Sequence, residues 1–282
     1  MSQKENWDWK ITADTSWLGV SVKDLIDHRD LLWGFVRKDF LNSYQQTLLG
    51  PLWILLQPLL AVWVYVLVFD RIIGVSTNGV PAFLYYLIGS TLWTLFSDIF
   101  SSSSSVIAGN LEVFSKVYFP RLIAPLSGIL YNFLRFTIHF IFLLLVTVYY
   151  KITGGIDFNL FRLFLALPAV IVVAGIAFGA GLIFSILTTK YRDLNGFVSL
   201  FLRLLMFLCP IFYTASSVPE KLKLFVFLNP LTAQFELFRY AFIGKGQIMG
   251  WELIYSVGIM VLLVTMGILF FNKMTDRLID VA

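Results

Sequence analysis

Three ionisable side chains lie inside long apolar runs of this chain: Asp98, Arg135 and Arg203. A charge in hydrocarbon is costly, so each must be paired, reach water or meet a polar ligand. Asp98 sits near a run's end and reads as a solvated boundary residue. The two arginines read as donors to carbonyls or to a partner helix, with contact to a polar or anionic substrate as the alternative. Catalytic sets are missing. Gly244-Lys245 lacks the first glycine and the hydroxyl of a phosphate-binding loop, and no HExxH is present. The histidines are His28 and His139, and Cys209 has no second cysteine to pair with. A hydrolase or transferase needs a nucleophile with a base, or carboxylates around a metal. The chain is therefore expected to be no enzyme and to carry no cofactor or metal. Buried carboxylates, which an ion-coupled carrier uses, are nearly absent, so any uphill transport must draw its energy from elsewhere.

Aromatic residues make up 17% of the chain. A single ring in such a sequence usually packs or faces lipid. As a set, Trp53, Trp63, Tyr65, Phe201, Phe207, Phe212 and Tyr213 fall on two apolar runs and suggest flat surfaces along which sugar rings pass.

The elements that hold these residues follow from composition. At 59% hydrophobic and 13% charged, against about 25% charged in soluble domains, the chain reads as an all-α polytopic membrane protein. Residues 1–27 form a polar extension with Trp7, Trp9 and Trp17 among charges, and contain no signal-peptide core. In residues 28–58 the first two-thirds is expected as a helix on the membrane surface and the last third as the entry of a helix crossing it. Leu32, Val36, Phe40, Tyr44 and Leu48, with Trp33 and Leu41, form the apolar face of the surface helix, and Lys38, Asp39, Asn42, Gln45 and Gln46 the polar one. Gly50-Pro51 breaks it and opens the first span. Six spans are expected, at about 52–69, 83–100, 122–150, 163–187, 197–213 and 253–271. Ser101 to Ser105 mark a return to the cytoplasmic surface, and a short surface helix follows near 111–117. In the fourth span, Gly175 and Gly179 allow another helix to approach closely. Two apolar pieces near 222–228 and 232–243, split by Asn229-Pro230, are too short to cross and read as re-entrant or interfacial. Twelve basic residues, among them Arg37, Lys38, Lys116, Arg121, Lys190, Arg192, Lys273 and Arg277, fall on the side expected to hold both termini, against seven on the other, which supports a cytoplasmic placement of that side.

Four segments in order carry a family resemblance: LLGPLWILLQP at the break, KVYFPRLIAPLS after the second span, YRDLNGFVSLFLRLLMFLCPIFY, and LNPLTAQFELFRYAFIG before the last span. From about residue 28 onward the chain resembles the permease subunit of ABC-2 type polysaccharide exporters, which move O-antigen, capsule or teichoic acid polymers. The resemblance implies a homodimer paired with two copies of a separate ATP-binding subunit, on which ATP and Mg are held. It implies a multi-pass protein of the bacterial inner membrane, with a lipid-linked polysaccharide as substrate and no nucleic acid as partner. By resemblance, residues 111–119 form a coupling helix that docks on the ATPase through Leu111, Glu112, Phe114, Lys116, Tyr118 and Phe119, and Arg37 and Lys38 add a second contact. The first and fifth spans line the conduit, where Arg203 joins the seven aromatics above. Pro219, Asn229, Pro230, Phe235 and Arg239 close its outer mouth. The rival readings are an ABC-2 exporter of a lipid or drug and, from another class, a membrane-embedded glycan-modifying enzyme.

Overall fold

A chain crossing hydrocarbon must satisfy its peptide groups locally, and helices do so. The computed structural model describes residues 22–116, 119–191, 193–246 and 250–279. Among these every regular element is a helix. After a turn at Val22–Asp27 come α1 (Arg29–Tyr44), α2 (Gly50–Ile72), α3 (Ala82–Ser104), α4 (Val106–Lys116) and α5 (Ile123–Ile152). Then follow α6 (Arg162–Lys190), α7 (Leu194–Leu208), α8 (Glu220–Leu228), α9 (Pro230–Ile243) and α10 (Gly250–Ile279). The polar extension falls outside the described residues except for its last turn.

Five of these helices, α2, α3, α5, α6 and α10, are long and apolar enough to span a membrane. The expected span at 197–213 is helical only as the 15-residue α7. At 1.5 Å per residue that is roughly 22 Å, short of a hydrocarbon core of about 30 Å. The cause is local: Cys209 precedes Pro210 and is extended, with φ −87° and ψ 145°, because proline disfavours helical geometry in the residue before it. The serine run departs from expectation in the other direction. Ser101 to Ser104 continue α3, since Ser102 and Ser104 donate to the carbonyls of Ile99 and Ser101 at 3.1 and 3.0 Å.

The surface helix is also shorter than its apolar stripe implied. It ends at Tyr44, because Gln46 adopts a left-handed φ of 65°, and Leu48 is left fully exposed beyond it. Phe35 and Val36 are its buried residues, while Trp33 and Leu41 face outward. A second left-handed residue, Gly50 (φ 53°), turns the chain into Pro51 and α2, where Pro58 is absorbed inside the helix.

The centre is made by α3 and α6, 78% and 61% of whose apolar stretches are buried, against 11% for α2 and for α10. The glycine pair of the fourth span works as expected. A Cβ on Gly175 would lie 2.6 Å from Met260, and one on Gly179 2.4 Å from the Leu263 backbone, so α10 packs directly on α6. Two short helices fill the segment before α10. Asn229 caps α9 by accepting from the Leu231 amide at 3.1 Å, Pro230 supplies a first residue that needs no donor, and Gly244 ends the helix at φ 65°.

Candidate functional site

Two helices are poorly covered by the rest of the chain. On α2 only Ile54 and Val62 are buried between Trp53 and Tyr65, and Gln57, Leu60, Trp63 and Val64 point away from the fold. Val198 and Leu202 seat α7 against α3, leaving Phe197, Leu200, Arg203, Leu204 and Phe207 outward. A glutamine amide and a guanidinium do not belong on a lipid-facing surface. These faces therefore suit water, a polar ligand or another polypeptide.

The aromatics expected on these helices divide in two. Phe212 is buried and stacks on Phe69 at 4.4 Å, with Tyr65 at 4.8 Å and Phe207 at 5.6 Å, so one ring ties the end of α7 to α2. Tyr213 donates its hydroxyl to the carbonyls of Phe207 and Leu208, capping α7. Phe201 packs with Phe184, Phe100 and Phe197. Trp53 is half-buried, whereas Trp63, 5.7 Å from Phe83, and Phe207 remain open.

Two of the three charges expected inside spans pair with each other. Arg135 Nη1 meets Asp98 at 2.9 Å, joining two residues that the sequence shows only separately. Arg203 stands on the exposed face of α7. A second pair is more deeply buried: Arg239 Nη1 bonds Glu236 at 2.7 Å, Arg239 Nη2 donates to the Pro210 carbonyl, and the guanidinium lies 4.3 Å over the Tyr85 ring. Arg239 thus clamps the chain just after α7. Glu236 and Glu252 are buried carboxylates that sequence reading passed over. The Glu236–Arg239 spacing of one helical turn was the available signal. Of the other residues expected at the outer mouth, Phe235 is buried, Asn229 and Pro230 start α9, and Pro219 is exposed ahead of α8.

At another end of the fold, α4 kinks at Asn110, and its Phe114 is linked to α1 through Phe119. Phe119 is buried between Phe35, at 5.9 Å, and Phe114, at 5.7 Å, and Lys38 lies 5.6 Å over the Phe35 ring. Glu112 and Lys116 form an exposed one-turn pair at 3.6 Å, Arg37 is exposed close by in sequence to Lys38, and Leu111 is half-buried. Tyr118 lies outside the described residues. The arrangement joins a solvent-facing charged surface to a buried aromatic wedge.

Comparison with known proteins extends this picture. Residues 30–243 match the family described as ABC-2 type transporter. The O-antigen export system permease protein RfbA of Klebsiella pneumoniae is 29% identical over 253 residues, covering 89% of this chain and 95% of that protein. A protein of the same name from Myxococcus xanthus is 27% identical over 216 residues, covering 75% of this chain and 80% of its own length. With a family match across most of its helical, multi-pass body, the chain belongs to the ABC-2 type transporters.

Proposed function

We propose that this chain is the channel-forming membrane subunit of an ATP-driven exporter that carries a lipid-linked, O-antigen-like polysaccharide from the cytoplasm across the bacterial inner membrane. It works as a homodimer with two ATPase subunits, which hold the ATP and Mg, and both of its termini are cytoplasmic. The observation that carries this reading is the uncovered, partly polar and aromatic face of α2 and α7, with Gln57 and Arg203 on it. In a homodimer two such faces enclose a path, and open rings such as Trp63 and Phe207 offer weak, repeated contacts on which a polymer slides where one tight site would trap it. The names of the relatives support polysaccharide as cargo.

ATP binding on the partner subunits pushes on the charged surface of α4, and the Phe114–Phe119–Phe35 wedge passes that motion to α1. The Gly50-Pro51 break then hands it to α2, so that the two halves move as rigid bodies about their interface. α8 and α9 cover the outer mouth. Deleting the gene and fractionating the lipid-linked glycan tests the reading. Polymer is expected to accumulate on the cytoplasmic face, and unchanged surface glycan would sink the proposal.

A further inference from the structure

A cavity of about 360 Å³ lies where α1, α2 and α5 meet, beside the α2 face assigned to the transport path, with which it shares Trp53 and Gln57. Ser43, Tyr44 and Thr47 line it from the end of α1 and the turn beyond, Gln57 from α2, and Tyr131 and Arg135 from α5. Ser43 and Thr47 donate to the carbonyls of Asp39 and Tyr44 at 2.8 and 2.9 Å, so the donors that can turn to a ligand are those of Tyr44, Gln57 and Arg135, and no carboxylate lines the cavity. Asp98 takes Arg135 Nη1 at 2.9 Å, while the buried Arg135 Nε has no hydrogen-bond partner among the described residues. The Tyr131 hydroxyl donates to Ser43 Oγ at 2.8 Å, which fixes the wall between α1 and α5. Burial holds the Tyr44 phenol well above its ordinary range, so it remains an O–H donor. Thr47 and Gln57 are exposed, which leaves the cavity reachable.

Three convergent donors, one of them a guanidinium that keeps donor positions beyond its bond to Asp98, suit an oxyanion better than a neutral sugar, whose hydroxyls also need strong acceptors. Phosphate, with several acceptor oxygens, fits that chemistry. A lipid is favoured as its carrier because Leu41 and Leu48, on and just after α1, are exposed apolar surface along which a tail can lie. We propose that this cavity binds the phosphate group of a membrane lipid, with Arg135 as the cationic ligand and Tyr44 and Gln57 as donors. The occupant would bridge α1 and α2 across the Gly50-Pro51 break, so that a loaded site stiffens the joint which α1 uses to move α2. The inference rests on the export reading only for which lipid arrives there. Its test measures binding without transport, so the two fail separately.

The test is calorimetric titration of the purified full-length chain, in phosphatidylcholine nanodiscs, with farnesyl phosphate, farnesol and inorganic phosphate. Farnesyl phosphate is expected to bind saturably and farnesol not. Gln57→Leu and Arg135→Gln should each weaken binding by about tenfold or more, as loss of a charged or buried hydrogen bond predicts. Because Arg135→Gln strands Asp98, the double variant Asp98→Asn/Arg135→Gln is titrated alongside it, with thermal unfolding as the check that each protein is folded. Equal binding of farnesol and farnesyl phosphate, or wild-type affinity in folded variants, overturns the site. Inorganic phosphate binding as tightly as farnesyl phosphate overturns the lipid as its source.

Discussion

Arg239 keeps its charge almost out of reach of water, at 2% exposure, by meeting Glu236, the Pro210 carbonyl and the Tyr85 ring together. Removing one member of such a pair strands the other, at a cost of about 3–5 kcal/mol, whereas replacing both with uncharged residues is far cheaper. Arg239→Met is therefore expected to lower the unfolding midpoint of the detergent-purified chain sharply, and Glu236→Gln/Arg239→Met to recover much of it. A double variant as unstable as the single one would show that Arg239 acts mainly through Pro210 and Tyr85. Steric effects at this scale are as local. Gly179→Ala places a methyl 2.4 Å from the Leu263 backbone, and overpacking of that kind costs about 1–3 kcal/mol. Gly258→Ala, inside α10, meets nothing within 4 Å and is expected by helix propensity to hold or raise the midpoint, so thermal unfolding of the two separates packing from helix propensity. The glycine spacing was legible in the sequence because four residues return to one helix face. The Asp98–Arg135 pair was not, because nothing local records which helices become neighbours.

Elements were legible wherever a long apolar run left the backbone no alternative to a helix, as in α5 and α6. They were misjudged where a few residues decide the ends. Pro210 stops α7 early, Gln46 stops α1 before Leu48, and the serine hydroxyls satisfy carbonyls of their own helix and so carry α3 onward. At α4 the sequence located the element without revealing its inner contact. Phe119, expected on the docking surface, is instead wedged beneath it against Phe35. The two roles separate by substitution. Glu112→Ala alters the exposed surface and is expected to weaken association of the ATPase subunit, read by co-purification. Phe119→Ala leaves that surface in place and removes the wedge, so the ATPase should still co-purify while export falls. Normal export with Phe119→Ala would mean that α4 acts on the membrane helices without α1.

At the scale of the whole molecule, α3 and α6 are enclosed by the chain itself while α2 and α7 are left at its margin. Lipid alone would accept the leucines of that margin, and it would reject Arg203 and Gln57. In the homodimer proposed above, a second copy meeting the first through these faces would remove the conflict by giving both polar groups a water-filled or glycan-filled space. Such a space must be reachable from outside when the transporter opens. Phe207→Cys, on the open face of α7, is therefore expected to react with a membrane-impermeant thiol reagent in cells carrying out export. Ile171→Cys, equally uncovered but on α6 away from Gln57 and Arg203, is expected to stay unreactive in lipid. The native Cys209 is fully buried, so the unsubstituted chain gives a low background. If Phe207→Cys is as protected as Ile171→Cys with the ATPase cycling, α7 faces lipid or a dry interface and the path lies elsewhere. Reaction at Phe207→Cys that is lost when the ATPase is inactivated would instead tie opening of this face to the ATP cycle.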